Sequence, residues 1–442
     1  MVKVSKYNNL CFYESDLFVF NPCANAAVRI SDPSLASLVK TWKQEELIDE
    51  GNYPEDFIQS MLDKGVLVDI NRDELDYVNY IYSQYLRPVK LSIIILATRN
   101  CNFNCPYCYE KHEDKTMNRD IYSGIIEFIR NKKKEGYSML EIGWFGGEPL
   151  LEYDDICWFM EQLQYNFPDM SITGNMTTNG YLLSVERLNN LTKHLVKHYQ
   201  ITIDGLRDTH NKTRILKNGN GTWDTVFNNL IQASKTDIDF SIGIRTNFTE
   251  EMHPLYEKWF DLIKCNFGKD SRFAVHFEAV KNLGIANDYA VFRNSTTDDI
   301  LSEMGKASIK LELETPIISM LTKPCGAICY AASPHNYLID YDGTIRKCTV
   351  ALDDKKNIIG HLGKEGIIDF DLRNFAWWVN YEVYEECKKC SIYPVCFGRK
   401  CPNVYFNEQG CNTIKTMYKV GMEKIIHKYY HFLKSQAVNN EA

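Results

Sequence analysis

The chain has 442 residues, 45% of them hydrophobic and 24% charged, with a formal net charge of −8. This is the balance of a globular protein of about three domains with an ordinary core. The acidic charge argues against a phosphate-binding surface, so no nucleic acid is expected as a partner. Residues 1–9 hold no apolar stretch of the signal-peptide kind, and the apolar run 91–97 is far short of the ~20 residues a spanning helix needs. The expectation is a cytoplasmic chain with no membrane partner.

Three regions follow one another. In residues 1–88, segments 10–13, 17–20 and 26–30 read as short strands parted by turn residues. Helical periodicity follows at 34–43 and 54–64, ended by Gly65, then a strand at 66–70 and an amphipathic helix at 73–86. In residues 89–315, strands are expected at 91–97, 140–145, 171–177, 198–203, 239–246 and 273–280. Helices are expected between them at 119–133, 154–165, 184–195, 222–234 and 250–264. Such alternation predicts a parallel sheet with crossover helices, and six units predict an open, partial barrel with its site at the C-terminal strand ends. Residues 316–442 are turn-rich and cysteine-dense, closing in a helix at 414–433.

Cysteine usage is the abnormal feature. There are 15, and 11 of them fall within 101–108 and 325–411. In a chain able to fold without disulfides, such clustering points to metal or redox chemistry. Cys11, Cys23, Cys157 and Cys265 lie among apolar residues and read as inert buried thiols.

Cys101, Cys105 and Cys108 follow the first of the six strands with spacing C-x3-C-x2-C. Three thiolates on one loop suit three irons of a 4Fe–4S cube and leave the fourth iron open. A zinc site completed by His112 is the alternative that spacing alone leaves standing. Further motifs stand at the ends of later strands: Gly146, Gly147, Glu148 and Pro149; Thr178, Asn179 and Gly180; then Thr202, Ile203, Asp204 and Gly205, with His210 and Arg214 beyond. In this order they resemble the radical S-adenosylmethionine (SAM) superfamily.

The resemblance implies that the cysteine loop holds a SAM-binding 4Fe–4S cluster and that the glycine motif presents backbone to the SAM amino group. It matches Arg214 to an arginine for the SAM carboxylate and Tyr107 to an aromatic position near adenine. Asn179, Thr202 and Asp204 complete the implied cofactor contacts. The chemistry implied is reductive cleavage of SAM to a 5′-deoxyadenosyl radical, supplied with electrons by a flavodoxin or ferredoxin.

The tail runs Cys325, Cys329, Gly343, Cys348, Cys387, Cys390, Cys396, Cys401 and Cys411. It resembles the SPASM extension, which holds two auxiliary 4Fe–4S clusters. By that resemblance Cys325, Cys329, Cys348 and Cys401 serve one cluster, and Cys387, Cys390, Cys396 and Cys411 the other. The spacing between Cys396 and Cys401 is one residue longer than usual there, and two zinc ribbons remain the alternative by spacing. Residues 1–88 look like a PqqD-like, winged-helix-like domain that docks the leader of a precursor peptide as an added strand; a structural cap is the plainer reading.

The expectation is therefore an α/β fold with a partial (β/α)6 radical SAM barrel at 89–315, a recognition domain at 1–88 and a SPASM domain at 316–442. With three 4Fe–4S clusters and SAM, it would modify a ribosomally made peptide, first by thioether cross-linking. Carbon–carbon cross-linking, epimerisation and sulfatase maturation are the enzymatic alternatives, and a zinc-binding interaction protein is the non-enzymatic one. His276 and Glu278, on the last strand of the six, are candidate catalytic groups facing substrate.

Overall fold

A computed structural model describes residues 1–249, 251–280, 294–380, 382–399, 401 and 409–440. Packing gathers the chain into two units, each assembled from separate stretches. One comprises Met1–Leu86, Pro316–Ala332 and Glu382–Ala442; the other comprises Arg87–Thr315 and Ser333–Tyr381.

The first unit contains two three-stranded antiparallel sheets. β1 (Val2–Val4), β5 (Leu47–Ile48) and β6 (Leu67–Asp69) form one, with β1 central; β2 (Asn9–Tyr13), β3 (Asp16–Asn21) and β4 (Ala26–Ile30) form the other, with β3 central. Helices Pro33–Val39, Glu55–Asp63 and Glu74–Tyr85 follow the expected order. β1 and β5 are additions to the sequence reading, and at three and two residues they are too short to show a period.

β3 decides how this unit packs. Its inner residues are all apolar, and both of its faces are covered. Leu17 and Val19 join Val2, Val4, Val39, Ile58 and Met61 on one side. Phe18 and Phe20 join Ile392, Val395, Tyr418, Met422 and Ile426 on the other. Residues from the start of the chain and from its last helix, Gln409–Asn440, therefore share one core. The buried Asp16 carboxylate adds a polar tie, accepting from Arg29 Nε at 2.5 Å and from the Tyr430 hydroxyl.

In the second unit, β7 (Lys90–Leu96), β8 (Met139–Phe145), β9 (Ser171–Thr178), β10 (Val196–Thr202), β11 (Ser241–Phe248) and β12 (Phe273–Ala279) are the six expected strands, each neighbouring pair parallel. Helices Arg119–Lys134, Tyr153–Asn166, Val185–Lys193, Trp223–Ser234 and Tyr256–Phe267 connect or cover them. Side-chain caps set two of the helix starts: Asn118 accepts from the Ile121 N–H and Ser184 from the Arg187 N–H. The last of these helices begins six residues beyond its expected start, after a short 3-10 turn at His253–Leu255. β11 shows how the faces divide: Ile242, Ile244, Thr246 and Phe248 are buried, while Ser241, Gly243, Arg245 and Asn247 are less covered. That period of two gives the sheet one apolar face and one with a polar stretch.

The sheet continues past β7. β13 (Asn336–Ile339) lies parallel to β7, followed by β14 (Thr344–Arg346), β15 (Ile358–Leu362) and β16 (Ile368–Phe370) as an antiparallel extension. The result is an open ten-stranded, mostly parallel sheet in the order β12-β11-β10-β9-β8-β7-β13-β14-β15-β16. Sequence reading takes this stretch as turn-rich because its strands are only three to five residues long. Among the described residues no helix is long and apolar enough to cross a membrane.

Candidate active site at the strand ends

Parallel strands bring their C-terminal ends to one edge, and the motif loops meet there. The cysteine loop leaves β7 and is held from two sides. Phe103 and Leu216 form an isolated bridge, and the Asn104 N–H donates to the Ile215 carbonyl at 2.8 Å. On the other side the Glu148 N–H donates to the Asn100 carbonyl at 2.9 Å.

Cys101 is buried, and Cys105 and Cys108 are partly covered; of the four scattered cysteines expected to be buried, Cys23 is, Cys11 and Cys157 are half-buried, and Cys265 is exposed. The Phe103 N–H donates to Cys101 Sγ at 3.4 Å. Burial pushes the Cys101 thiol up to about 12, and Glu148 and the neighbouring Cys105 and Cys108 thiols act in the same direction. Burial also takes Cys108 up to about 12. Burial has this effect because it disfavours the charged thiolate. His112, the candidate fourth zinc ligand, has Nε2 at 3.5 Å from Cys108 Sγ. Among the described residues no group of three or more Cys, His, Asp and Glu side chains is arranged to hold a single metal ion.

The glycine motif packs against this loop. A Cβ on Gly147 would lie 2.0 Å from the Asn100 carbonyl oxygen, and the residue has φ +49. The need for glycine at this position thus comes from the close approach of the cysteine loop. The Gly147 N–H donates to Glu110 Oε2 at 3.1 Å, and burial pushes the Glu110 carboxyl up to about 7. Glu148 is turned into the protein. Its carboxylate accepts from Thr178 Oγ1 at 2.6 Å, the Asn179 N–H at 2.7 Å and the Leu150 N–H at 3.0 Å, tying the end of β8 to the end of β9. Pro149 begins the short 3-10 turn that follows. Asn179 Nδ2 reaches back to Asn102 Oδ1 of the cysteine loop at 2.7 Å.

The residues after β10 form a second polar centre. Thr202 is buried at the strand end, and the Asp204 carboxylate accepts from the Tyr107 hydroxyl, from Thr213 Oγ1 at 3.0 Å and from the Asn247 N–H at 3.2 Å. The Tyr107 oxygen in turn accepts from Arg214 Nη1 at 3.1 Å and Asn247 Nδ2 at 3.4 Å. The Arg214 guanidinium stands over the Phe103 ring at 5.5 Å, and its buried Nε has no hydrogen-bond partner. An orphaned cationic donor near the Cys105 and Cys108 thiols fits an anionic ligand group at this place.

His210 is fully buried and takes a structural part. The Asp204 N–H donates to its Nδ1 at 3.2 Å, and Thr222 Oγ1 lies 3.0 Å from Nε2 while donating to the Arg214 carbonyl at 2.6 Å. That pattern assigns a neutral ring protonated on Nε2, in line with a pKa lowered by burial and then by Arg214.

Arg245 and His276 are cross-strand partners, as are Asn247 and Glu278. His276 Nε2 lies 3.8 Å from Glu278 Oε2, and its buried Nδ1 has no hydrogen-bond partner. Burial and then Arg245 push the imidazole down to about 4, against the opposing pull of Glu278. Asn247 is a site residue the sequence reading missed; its place near the C-terminal end of β11 was the available signal.

The tail cysteines divide between the units. Cys325, Cys329, Cys387, Cys390, Cys396, Cys401 and Cys411 lie in the first, and Cys348 lies in the second. In the first unit the 325–329 stretch runs along 394–399 through N–H donations from Cys325 to Pro394, Ala327 to Val395 and Cys329 to Arg399. Burial pushes Cys396 up to about 12, and the neighbouring Cys390, Cys387 and Cys411 thiols push the same way. These four are thus electrostatic neighbours, as a shared cation-binding site requires.

Residues 95–258 match the Radical SAM superfamily. A cysteine-type anaerobic sulfatase-maturating enzyme of Clostridium novyi is 22% identical over 379 residues, covering 78% of this chain and 98% of that protein. The solved structure of native anSMEcpe with bound AdoMet superposes with a TM-score of 0.61 at 18% identity, covering 77% of this chain and 100% of that one. Streptococcus suis SuiB bound to its precursor peptide SuiA superposes with a TM-score of 0.51 at 14% identity, covering 92% of this chain and 97% of that one. The matched segment contains the three-cysteine loop, the glycine motif and the Asp204–Arg214 centre. Residues 95–258 are a radical SAM domain.

Proposed function

We propose that this chain is a radical SAM enzyme that modifies a ribosomally made peptide, forming a thioether between a cysteine sulfur and a carbon of a second residue. The observation that carries the reading is the convergence of three buried or half-buried thiols, the orphaned Arg214 Nε and the Tyr107–Asp204–Asn247 cluster at one sheet edge. Cys101, Cys105 and Cys108 would hold a SAM-binding 4Fe–4S cluster, which would supply hydrogen-abstracting radical chemistry. The protein's part is positional. Arg214 would offer a cation to the SAM carboxylate, the 146–147 backbone would offer polar groups to its amino end, and Tyr107 would serve the adenine.

Two auxiliary clusters on the eight tail cysteines would take the electron released when S–H and C–H become S–C. A flavodoxin or ferredoxin would supply the reducing electron. Residues 1–88 would recognise the leader, residues 89–315 would carry the barrel, and residues 316–442 the SPASM region, in a cytoplasmic enzyme. The fold likenesses support both peptide-substrate readings alike, since SuiB covers more of this chain, 92% against 77%, while anSMEcpe superposes with the higher TM-score, 0.61 against 0.51.

The second reading, oxidation of a cysteine in a sulfatase to formylglycine, is supported by the Clostridium relative, whose full length is nearly covered. The deciding experiment is anaerobic co-expression with short reading frames neighbouring the gene, followed by mass spectrometry, beside a parallel incubation with a sulfatase-motif peptide. Loss of two hydrogens with loss of one free thiol supports the thioether. Sulfur replaced by oxygen together with loss of two hydrogens in the sulfatase peptide, with no change in the short peptides, overturns it.

A further inference from the structure

A buried ionic group lies behind the cysteine loop, within the second unit and outside the motifs read from sequence. Asp340, at the β13–β14 turn, is 1% exposed and bonds to two arginines. Arg99 donates through Nε to Oδ1 at 3.0 Å and through Nη2 to Oδ2. Arg346 donates through Nε to Oδ2 at 3.0 Å and through Nη1 to the Leu352 carbonyl at 2.8 Å. Arg99 lies two residues before Cys101, and Arg346 lies two residues before Cys348. One carboxylate therefore holds the approach to both cysteines.

Each arm is stiff beyond its arginine. On the first, Arg99 N–H donates to the Lys115 carbonyl at 2.9 Å, and the Gly147 backbone closes on Asn100. On the second, Asn357 Oδ1 accepts from the N–H groups of Lys347 and Cys348 at 3.0 and 2.8 Å, while its Nδ2 donates to the Cys348 carbonyl at 2.8 Å. A buried ion group gives little net stability, because desolvation offsets attraction, but it admits only one arrangement of its partners.

We propose that Asp340 is a positioning residue that sets the Cys101 loop and the Cys348 loop in fixed register with each other. The proposal deepens the cluster reading of these loops, yet its geometric core does not depend on bound iron. Thiol alkylation of the metal-free full-length chain, followed residue by residue with mass spectrometry, tests it. Asp340→Asn is expected to speed alkylation of both Cys101 and Cys348 about tenfold, leaving half-buried Cys157 and exposed Cys265 unchanged. Arg99→Gln should free mainly Cys101, and Arg346→Gln mainly Cys348. Unchanged rates at both cysteines, a response at only one of them in Asp340→Asn, or an equal rise at Cys157 would each overturn the joint.

The reconstituted enzyme gives a second readout. With iron content matched to wild type, Asp340→Asn should alter the change that SAM produces in the electron paramagnetic resonance signal of the reduced protein; an identical response would overturn the coupling. A wild-type chain that takes up no iron while passing the alkylation test would sink the cluster reading and leave the joint standing.

Discussion

Gly147→Ala probes the site at its tightest point. The new Cβ would lie 2.0 Å from the Asn100 oxygen and 2.7 Å from its carbon. Both are backbone atoms of the cysteine loop, so no rotamer change relieves the overlap. A left-handed backbone costs alanine about 1 kcal/mol, and overpacking of this kind costs about 1–3 kcal/mol more. Gly219→Ala is the control, since Gly219 also has a positive φ, +84, but a Cβ there would meet nothing within 4 Å. Subtracting the control leaves the steric part, about 1–3 kcal/mol, or roughly 5- to 150-fold in an equilibrium constant. The assays are urea unfolding of the metal-free protein and anaerobic equilibrium dialysis of SAM on the reconstituted one. Gly147→Ala should lose stability or SAM affinity by that margin beyond Gly219→Ala. Equal behaviour of the two variants would refute the packing argument.

Other substitutions reach different links. Glu148→Ala leaves the Thr178, Asn179 and Leu150 donors unpaired beside a buried hole, and should cost about 3 kcal/mol in chemical denaturation. Glu110, with its carboxyl pushed up to about 7 by burial, favours the folded state most below its unfolded pKa of 4.5, and that contribution fades as pH rises through 7. Glu110→Gln should therefore flatten the stability profile of the metal-free protein between about pH 4.5 and 7; an unchanged slope would discount the burial. His276, pushed down to about 4, is neutral at pH 7. A turnover profile that loses an inflection near pH 6.5 only in His276→Gln would contradict this. Phe18→Ala opens the core shared by β3 and the last helix, and should cost about 3–5 kcal/mol while loosening Cys390 toward alkylation.

That shared core changes how leader recognition is tested. Removing residues 1–88 would strip Phe18 and Phe20 from Ile392, Tyr418 and Met422. Loss of activity in such a deletion would report unfolding of the tail as readily as loss of leader binding. Substitutions at exposed positions, such as Leu10 and Phe12 on β2, leave the core intact and separate the two causes.

The amino-acid sequence by itself determined what is local. The short strands β7 to β12, the helices between them and the cysteine and glycine spacings lie within single elements or single turns, where side-chain direction follows chain position. The tertiary structure decided what depends on distant residues meeting. Arg99 and Asp340 are 241 residues apart, and Tyr430 and Asp16 are 414 apart; neither pair leaves a periodic trace. β13 to β16 are too short to declare themselves, and β13 becomes a strand by pairing with β7. Even Gly147 owes its lack of a side chain to Asn100, 47 residues earlier, which only the folded chain brings to its surface.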